Sequence, residues 1–367
     1  MKKSHFKSLG EVIQVCTKSN YPFALYRLPG EQQIHCIANS STRVELEPGM
    51  PFPSAPGFVF YPFQPESRFP ACFINAGIHF SCLYKDVDLK DASADFNFDI
   101  PASESCITSE EMFCRQVHDA VEFIKEGMLK KVILSRVQNV NNMRKSPVAV
   151  FLELCGMFGP AFLSLVYIPG RTLWLTVSPE LLIASNREEI KTVALAGTKK
   201  PNANWTEKEL NEQKLVTGYI EKIVDKHCSK VKISETADVV AGSVVHLKTS
   251  FTARLDSGLW DLVMDLHPTP AVCGIPKDEA LKFIRKTELH NRKYYSGFLG
   301  PYNIDGETNF FVNLRCAEIM HDKAALYIGG GITEESLPHA EWEETVMKTN
   351  TLLPVLESVS KPKVEHQ

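Results

Sequence analysis

Apolar residues recur along this chain with two periods. In a few stretches they return every three to four positions, the spacing of a helix with one face on a core. In many more, short runs of branched and aromatic residues are separated by turn residues, which is how strands read. Ser109-Glu110-Glu111-Met112 opens the first helix, with Val117, Val121 and Ile124 as its apolar face and Gly127 at its end. Thr206-Glu207-Lys208-Glu209 spells a capping box ahead of a second, faced by Val216, Tyr219, Ile220 and Ile223. Shorter helices are predicted over 259–266 and 276–286. A last one starts at Pro338, a residue suited to a first helical turn, with Trp342, Val346 and Leu353 on one stripe and Glu341, Glu344 and Lys348 on another.

The first hundred residues read as strands with turns: 23–27, 33–38, 57–61 and 71–80, with a loop at Pro51, Pro53 and Pro56. Lys131 to Val137 is a strand with Lys131, Ile133, Ser135 and Val137 on one face. Residues 161–167 and 172–177 form a hairpin about Pro169-Gly170. Ser178-Pro179-Glu180 breaks the second strand, which resumes over 181–184. Val193 to Lys200 is a short strand containing Gly197-Thr198, and 237–247 is strand-like. Residues 294–300 and 309–320 make a hairpin about Asp305-Gly306, the second strand carrying Phe311, Asn313, Arg315 and Ala317 on one face. Ala324 to Ile328 then leads into Gly329-Gly330-Gly331, read as a glycine loop that lets a ligand approach the backbone. Strands and helices mixed in this way predict an α+β fold.

Composition narrows the function. The 367 residues are 44% hydrophobic and 23% charged, ordinary for a globular protein. A net charge of -4 with no long basic run gives no footprint for nucleic acid. No apolar run approaches a membrane span, and no apolar stretch follows Met1-Lys2-Lys3 as in a signal peptide. The ten cysteines lack metal or disulfide spacing, so they are expected to be reduced and the protein cytoplasmic.

Several charged residues sit where core residues belong. Extended back by four, the apolar stripe of the second helix reaches Glu212. An ionised carboxylate there needs a partner or a metal, unless it clears the core edge and faces water. Glu344 and Lys348 form either an exposed i,i+4 pair or one wall of a site for a metal and an anion. Glu180, at a break between apolar strands, is either a solvated turn acid or a carboxyl whose pKa burial raises. Arg315 lies among core-type neighbours and suits bidentate carboxylate capture. Lys131 reads as a strand-entrance charge or a site residue, and His267 as an exposed loop residue or a ligand contact. Together these predict a metal-assisted site for a small carboxylate.

The order and spacing of Lys131-Val-Ile-Leu-Ser-Arg136, Ser178-Pro-Glu180, Ala196-Gly-Thr198, the Glu212 helix, His267-Pro-Thr-Pro-Ala, Leu314-Arg315-Cys-Ala, Gly329-Gly-Gly-Ile332 and Glu341-Trp-Glu-Glu-Thr-x-x-Lys348 resemble the chorismate-utilising enzymes. The resemblance spans about 105–357. It implies one domain over 1–367, with 1–104 as scaffold, in which two orthogonally packed, largely antiparallel sheets lie between helical layers. It further implies Mg²⁺ on Glu212 and Glu344, backed by Glu209 and Glu341 one turn earlier. Gly197, Thr198, His267, Tyr295, Arg315, Gly329 and Lys348 would hold the substrate chorismate. Lys131 would activate water as base, and Glu180 would protonate the departing ring hydroxyl. Amidotransferase-dependent members typically carry glutamine at the position of Lys131, or lysine at that of Ala196. The chain therefore resembles the water-using branch: an isochorismate synthase for menaquinone or siderophore synthesis, with no obligatory protein partner. Salicylate synthase and an amidotransferase-partnered anthranilate synthase are the alternatives.

Overall fold

The structure, a computed structural model, describes residues 6–41, 44–46, 53–88, 96–102, 106–141, 145–186, 188–241, 244–321 and 323–357. Pro51, assigned to the proline loop, lies outside them. The chain starts with α1 (Leu9–Lys18), capped by the side chain of Ser8. Strands alone were expected here, but Leu9, Val12, Ile13 and Cys16 stand at i, i+3, i+4 and i+7 and are all buried. Next come β1 (Phe23–Arg27), β2 (Gln33–Ala38) and β3 (Gly57–Tyr61), as the pattern predicts. The single strand expected over 71–80 is two, β4 (Cys72–Asn75) and β5 (Ile78–Leu83), which pair into different sheets on either side of Ala76-Gly77.

In the middle of the chain come α2 (Glu110–Lys125), β6 (Lys131–Asn141), α3 (Pro147–Met157), β7 (Phe162–Ile168), β8 (Thr172–Ser178), β9 (Leu181–Ser185) and β10 (Glu189–Lys199). The helix α3 has no polar face to announce it: Val148, Val150, Phe151, Leu152 and Leu154 are all buried. Its start is written locally instead, by the Ser146 cap and Pro147 in the first turn. Then follow α4 (Glu207–His227), β11 (Cys228–Ile233), β12 (Ala237–Ala241), β13 (Val244–Leu255), α5 (Leu259–Leu266), β14 (Gly274–Ile275) and α6 (Lys277–Thr287). The strand expected over 237–247 is thus the hairpin β12–β13.

The chain closes with β15 (Phe298–Tyr302), β16 (Thr308–Val312), β17 (Cys316–Ile319), β18 (Lys323–Ile332), α7 (Pro338–Thr349) and α8 (Leu353–Glu357). Asp305 and Gly306 both take positive φ between β15 and β16, as a two-residue hairpin turn requires. On α7 the expected apolar stripe is corrected. Val346 is exposed, and the buried line is Glu341, Thr345 and Thr349, with Arg136 Nε donating to Thr345 Oγ1 at 2.6 Å.

Two nine-stranded sheets result, every pairing antiparallel. One runs β14-β6-β18-β17-β8-β7-β1-β2-β5. The other runs β11-β13-β10-β9-β16-β15-β3-β4, with β12 added to β13. Phe58, Phe60, Phe311, Trp174, Phe162 and Tyr327 pack together from both sheets. The helices α1, α3 and α8 cover the first sheet, and α4 and α5 the second. Three times the chain passes from one sheet to the other with hardly a pause, from β4 to β5, from β8 to β9 and from β16 to β17. All ten cysteines are free, and among the described residues no helix is long and apolar enough to cross a membrane.

Candidate active site

The crossovers from β8 to β9 and from β16 to β17 open onto one cavity of about 170 Å³. Glu180 sits at the first and Arg315 at the second. Ser178 Oγ donates to the carbonyl of Val312 at 2.6 Å, the amide of Val312 donates to the carbonyl of Glu180 at 3.0 Å, and the amide of Val177 donates to the carbonyl of Arg315 at 3.1 Å. The two breaks thus brace each other. The continuous strand expected through Arg315 is corrected: this residue takes φ +47, a left-handed conformation that a non-glycine residue holds only under surrounding constraint. Asn313 supplies it, accepting from Thr176 Oγ1 at 2.7 Å and donating to the carbonyl of Tyr294 at 2.8 Å.

The third wall is β18. The glycines are not a loop: Gly329, Gly330 and Gly331 pair in register with Ser135, Leu134 and Ile133 of β6. Their use is steric. A Cβ at Gly329 would lie 2.6 Å from the hydroxyl of Tyr295 and 2.8 Å from a backbone carbonyl; one at Gly331 would lie 3.1 Å from Lys131 Cε and 3.2 Å from Glu212 Oε1. Side chains here would fill the cavity. Opposite, α4 contributes Glu209 and Glu212, and α7 contributes Glu344 and Lys348.

Lys131, Glu180, Gly197, Thr198, Glu209, Glu212, Tyr295, Arg315, Gly329, Glu344 and Lys348 all line this one cavity. Two predicted residues do not. His267 is buried elsewhere, bonded through Nε2 to the carbonyl of Phe63 at 3.1 Å and set edge-on to Tyr61 and Phe298; burial depresses its pKa to about 3. Glu341 lies behind β18, where its Oε1 accepts from Ser336 Oγ at 2.6 Å. The histidine at the cavity is His246, on β13 and absent from the sequence reading. Its Nδ1 lies 2.9 Å from the carbonyl of Gly197 and 3.1 Å from Thr198 Oγ1. A carbonyl only accepts, so Nδ1 carries the proton. The cross-strand pair Thr198↔His246 is the signal that locates it, and that register is invisible in the sequence.

Charges alternate around the cavity. Lys131, 1% exposed, pairs through Nζ with Glu212 Oε1 at 2.6 Å. Lys348 pairs with Glu344 at 2.7 Å and also donates to the carbonyl of Gly329 at 2.8 Å. The i,i+4 pair is therefore real, and it faces the cavity. Burial raises the pKa of Glu180 to about 7, against a smaller lowering by the charge of Lys131. Burial holds the pKa of Arg315 below its ordinary value, and among the described residues it forms no ion pair with an acid. An enclosed guanidinium beside a cavity has the geometry to take a carboxylate bidentately.

Among the described residues no three His, Cys, Asp or Glu side chains form a ready metal cluster. Glutamates from two facing helices still suit Mg²⁺, which commonly takes one or two protein carboxylates and fills its other positions with substrate oxygens and water. The donor chemistry fits.

The family described as "Chorismate binding enzyme" matches residues 85–357. The chain is 29% identical over 262 residues to the vibriobactin-specific isochorismate synthase of Vibrio cholerae, covering 67% of this chain and 66% of that protein. It is 26% identical over 265 residues to the isochorismate synthase EntC of Escherichia coli, covering 68% of each. The alignments thus span about two thirds of these relatives' lengths. Among solved structures, the fold is similar to a putative 2,3-dihydroxybenzoate-specific isochorismate synthase of Bacillus anthracis, with TM-score 0.73, 22% identity, and 95% of this chain and 99% of that one covered. It is also similar to the menaquinone-specific isochorismate synthase of E. coli, with TM-score 0.74, 19% identity, and 96% and 92% covered.

Proposed function

The chain belongs to the chorismate-binding enzymes, and from that membership we propose that it is an isochorismate synthase, converting chorismate to isochorismate. The observation that carries the reading is the pairing of Lys131 and Glu180 in one cavity, with Ala196 between Leu195 and the Gly197 bulge. The reaction adds water at one ring carbon and releases the hydroxyl from another, so it needs a base and an acid at separate points.

Arg315 and Lys348 hold the carboxylates of the substrate. Lys131, as its neutral amine, takes a proton from the attacking water. Glu180, whose pKa of about 7 keeps much of it protonated at neutral pH, gives its proton to the leaving hydroxyl. One water enters and one leaves, so the product is an isomer of the substrate. Glu212 and Glu344, with Glu209 beside them, would hold Mg²⁺, which supplies positive charge against a substrate carboxylate. The narrow wall at Gly329 and Gly331 sets the ring between β18 and the two crossovers.

Vibriobactin-specific and menaquinone-specific enzymes both occur among the similar proteins, and isochorismate is the common product of this reading. The test is incubation of the pure protein with chorismate and Mg²⁺, followed by chromatography with mass detection. A new peak of unchanged mass is expected. Salicylate plus pyruvate as the main products overturns it in favour of salicylate synthase.

A further inference from the structure

The cavity exists because β9 leaves β10. Their pairing covers only Ile190↔Ser185 and Lys191↔Ala184, after which β9 turns toward β16 while β10 continues along β13. From Thr192 onward, among the described residues, no strand pairs with the edge of β10 that faces the gap. Thr192 Oγ1 bridges the start of the split, donating to the carbonyl of Leu182 at 2.6 Å. Two residues further, the side-chain amide of Gln213 takes over. Its Oε1 accepts from the amide of Ala196 at 2.9 Å, and its Nε2 donates to the carbonyl of Ala194 at 3.1 Å. One donor and one acceptor, offered to residues i and i+2 of an edge, is what a neighbouring strand provides.

We propose that Gln213 is a positioning residue, whose carboxamide stands in for the missing strand and so fixes the bulge at Gly197-Thr198 against Glu209 and Glu212. This rests on the reading of the cavity as the active site. The register of β10 on β13 shifts between Ala196 and Thr198, one residue past the Gln213 contact. Gly197 takes φ +68 there, and a Cβ on it would stand 3.2 Å from the backbone carbonyl oxygen of Glu209. Gln213 follows Glu212 in α4 and is 3% exposed. Its Nε2 also reaches Thr249 Oγ1 at 3.0 Å and Thr217 Oγ1 at 3.3 Å. One side chain thus ties helix, bulged strand and β13 together, beside the acids that α4 presents to the cavity. An apolar residue of similar size, such as leucine, leaves the amide of Ala196 and the carbonyl of Ala194 without this partner, so the bulge loses its template.

The experiment compares full-length wild type, Gln213→Leu and Gln116→Leu. Gln116 is a second buried glutamine, on α2 and outside the cavity, donating to the carbonyl of Thr287 at 2.8 Å. Thermal unfolding, kcat and KM for chorismate, and calorimetric chorismate binding in Mg²⁺ buffer are measured for each. For Gln213→Leu, kcat/KM is expected to fall at least about tenfold per folded molecule, with chorismate binding weakened in parallel. Gln116→Leu should lose thermal stability and keep kcat/KM within about twofold. A folded Gln213→Leu with wild-type kcat/KM and binding overturns the proposal, as does a loss no greater than that of Gln116→Leu. Should Gln213→Leu fail to fold, Thr249→Val removes one anchor of the carboxamide. A kcat/KM at least about threefold lower then supports the proposal, and a wild-type value overturns it. If the wild type binds chorismate without forming isochorismate, the functional reading fails while the binding arm still decides the role of Gln213.

Discussion

Replacing Glu180 by glutamine separates the chemistry of a buried acid from its shape. Glu180 is 7% exposed, and burial lifts its pKa from 4.5 to about 7. In the unfolded chain it ionises near 4.5. Between the two values the folded protein holds a proton that the unfolded chain has released, so stability falls as pH rises through this window and levels off above about 7. At about 1.36 kcal/mol per pH unit, the wild type gives up about 3 kcal/mol across the window. Glu180→Gln keeps volume and polarity and has nothing to ionise. Its stability relative to wild type should therefore climb between pH 4.5 and 7, by up to about 3 kcal/mol if the surroundings stay fixed. Activity should go the other way: kcat falls about 10²–10⁴-fold, the usual contribution of a positioned acid. Wild-type turnover should decline as pH passes about 7, and the residual activity of the variant should lack that limb. Urea unfolding at pH 5 and pH 8, with pH–rate profiles of both proteins, makes the comparison. A variant with more than a tenth of wild-type kcat, or with the same alkaline limb, would refute the assignment of Glu180 as the acid.

Four other substitutions probe the remaining walls. Glu212→Ala and Glu344→Ala should each abolish Mg²⁺-dependent turnover while circular dichroism shows a native fold; near-native activity at ordinary Mg²⁺ in either would remove the two-helix metal site. Arg315→Lys keeps a charge and loses the guanidinium fork, so kcat/KM should fall at least about tenfold, and an unchanged value would make Arg315 structural. Gly329→Ala places a Cβ 2.6 Å from the hydroxyl of Tyr295 and 2.8 Å from the carbonyl of Leu134; it should impair chorismate binding measured by calorimetry, and wild-type affinity would contradict the steric account.

How much of this was legible in the sequence depended on what kind of fact was sought. Charges in core-like positions were legible because a buried ion demands a purpose: Lys131, Glu180, Glu212 and Arg315 all came to one cavity. Capping boxes and the Asp305-Gly306 turn were legible because they are local. Sheet membership was not. Alternation continues unbroken through Asn313-Leu314-Arg315 although the chain changes sheets there, since inward and outward positions do not say against which sheet they face. The three glycines were misread for the same reason. Their effect lies in what they leave out beside Tyr295, Lys131 and Glu212, neighbours distant in sequence. The resemblance implied His267 as a substrate contact, but its loop packs it against Phe63, Tyr61 and Phe298, and no local pattern singles out His246.

The same gap explains why so many polar side chains sit in this core. A cavity between two antiparallel sheets requires strands to part, and every parting leaves backbone groups that must be satisfied away from water. Thr192 answers for Leu182, Gln213 for Ala194 and Ala196, Ser178 for Val312, and Asn313 for Tyr294. Each replaces a strand-to-strand bond with a side-chain bond of fixed length, so the walls stay rigid where the sheets no longer hold them. Glu180 and Arg315 stand at the ends of such braced segments, where a charged side chain can reach the cavity while its backbone carbonyl remains bonded. Opening the sheets and holding the charges still are thus achieved by one device, and removing a brace should disturb the charge it supports before it disturbs the fold.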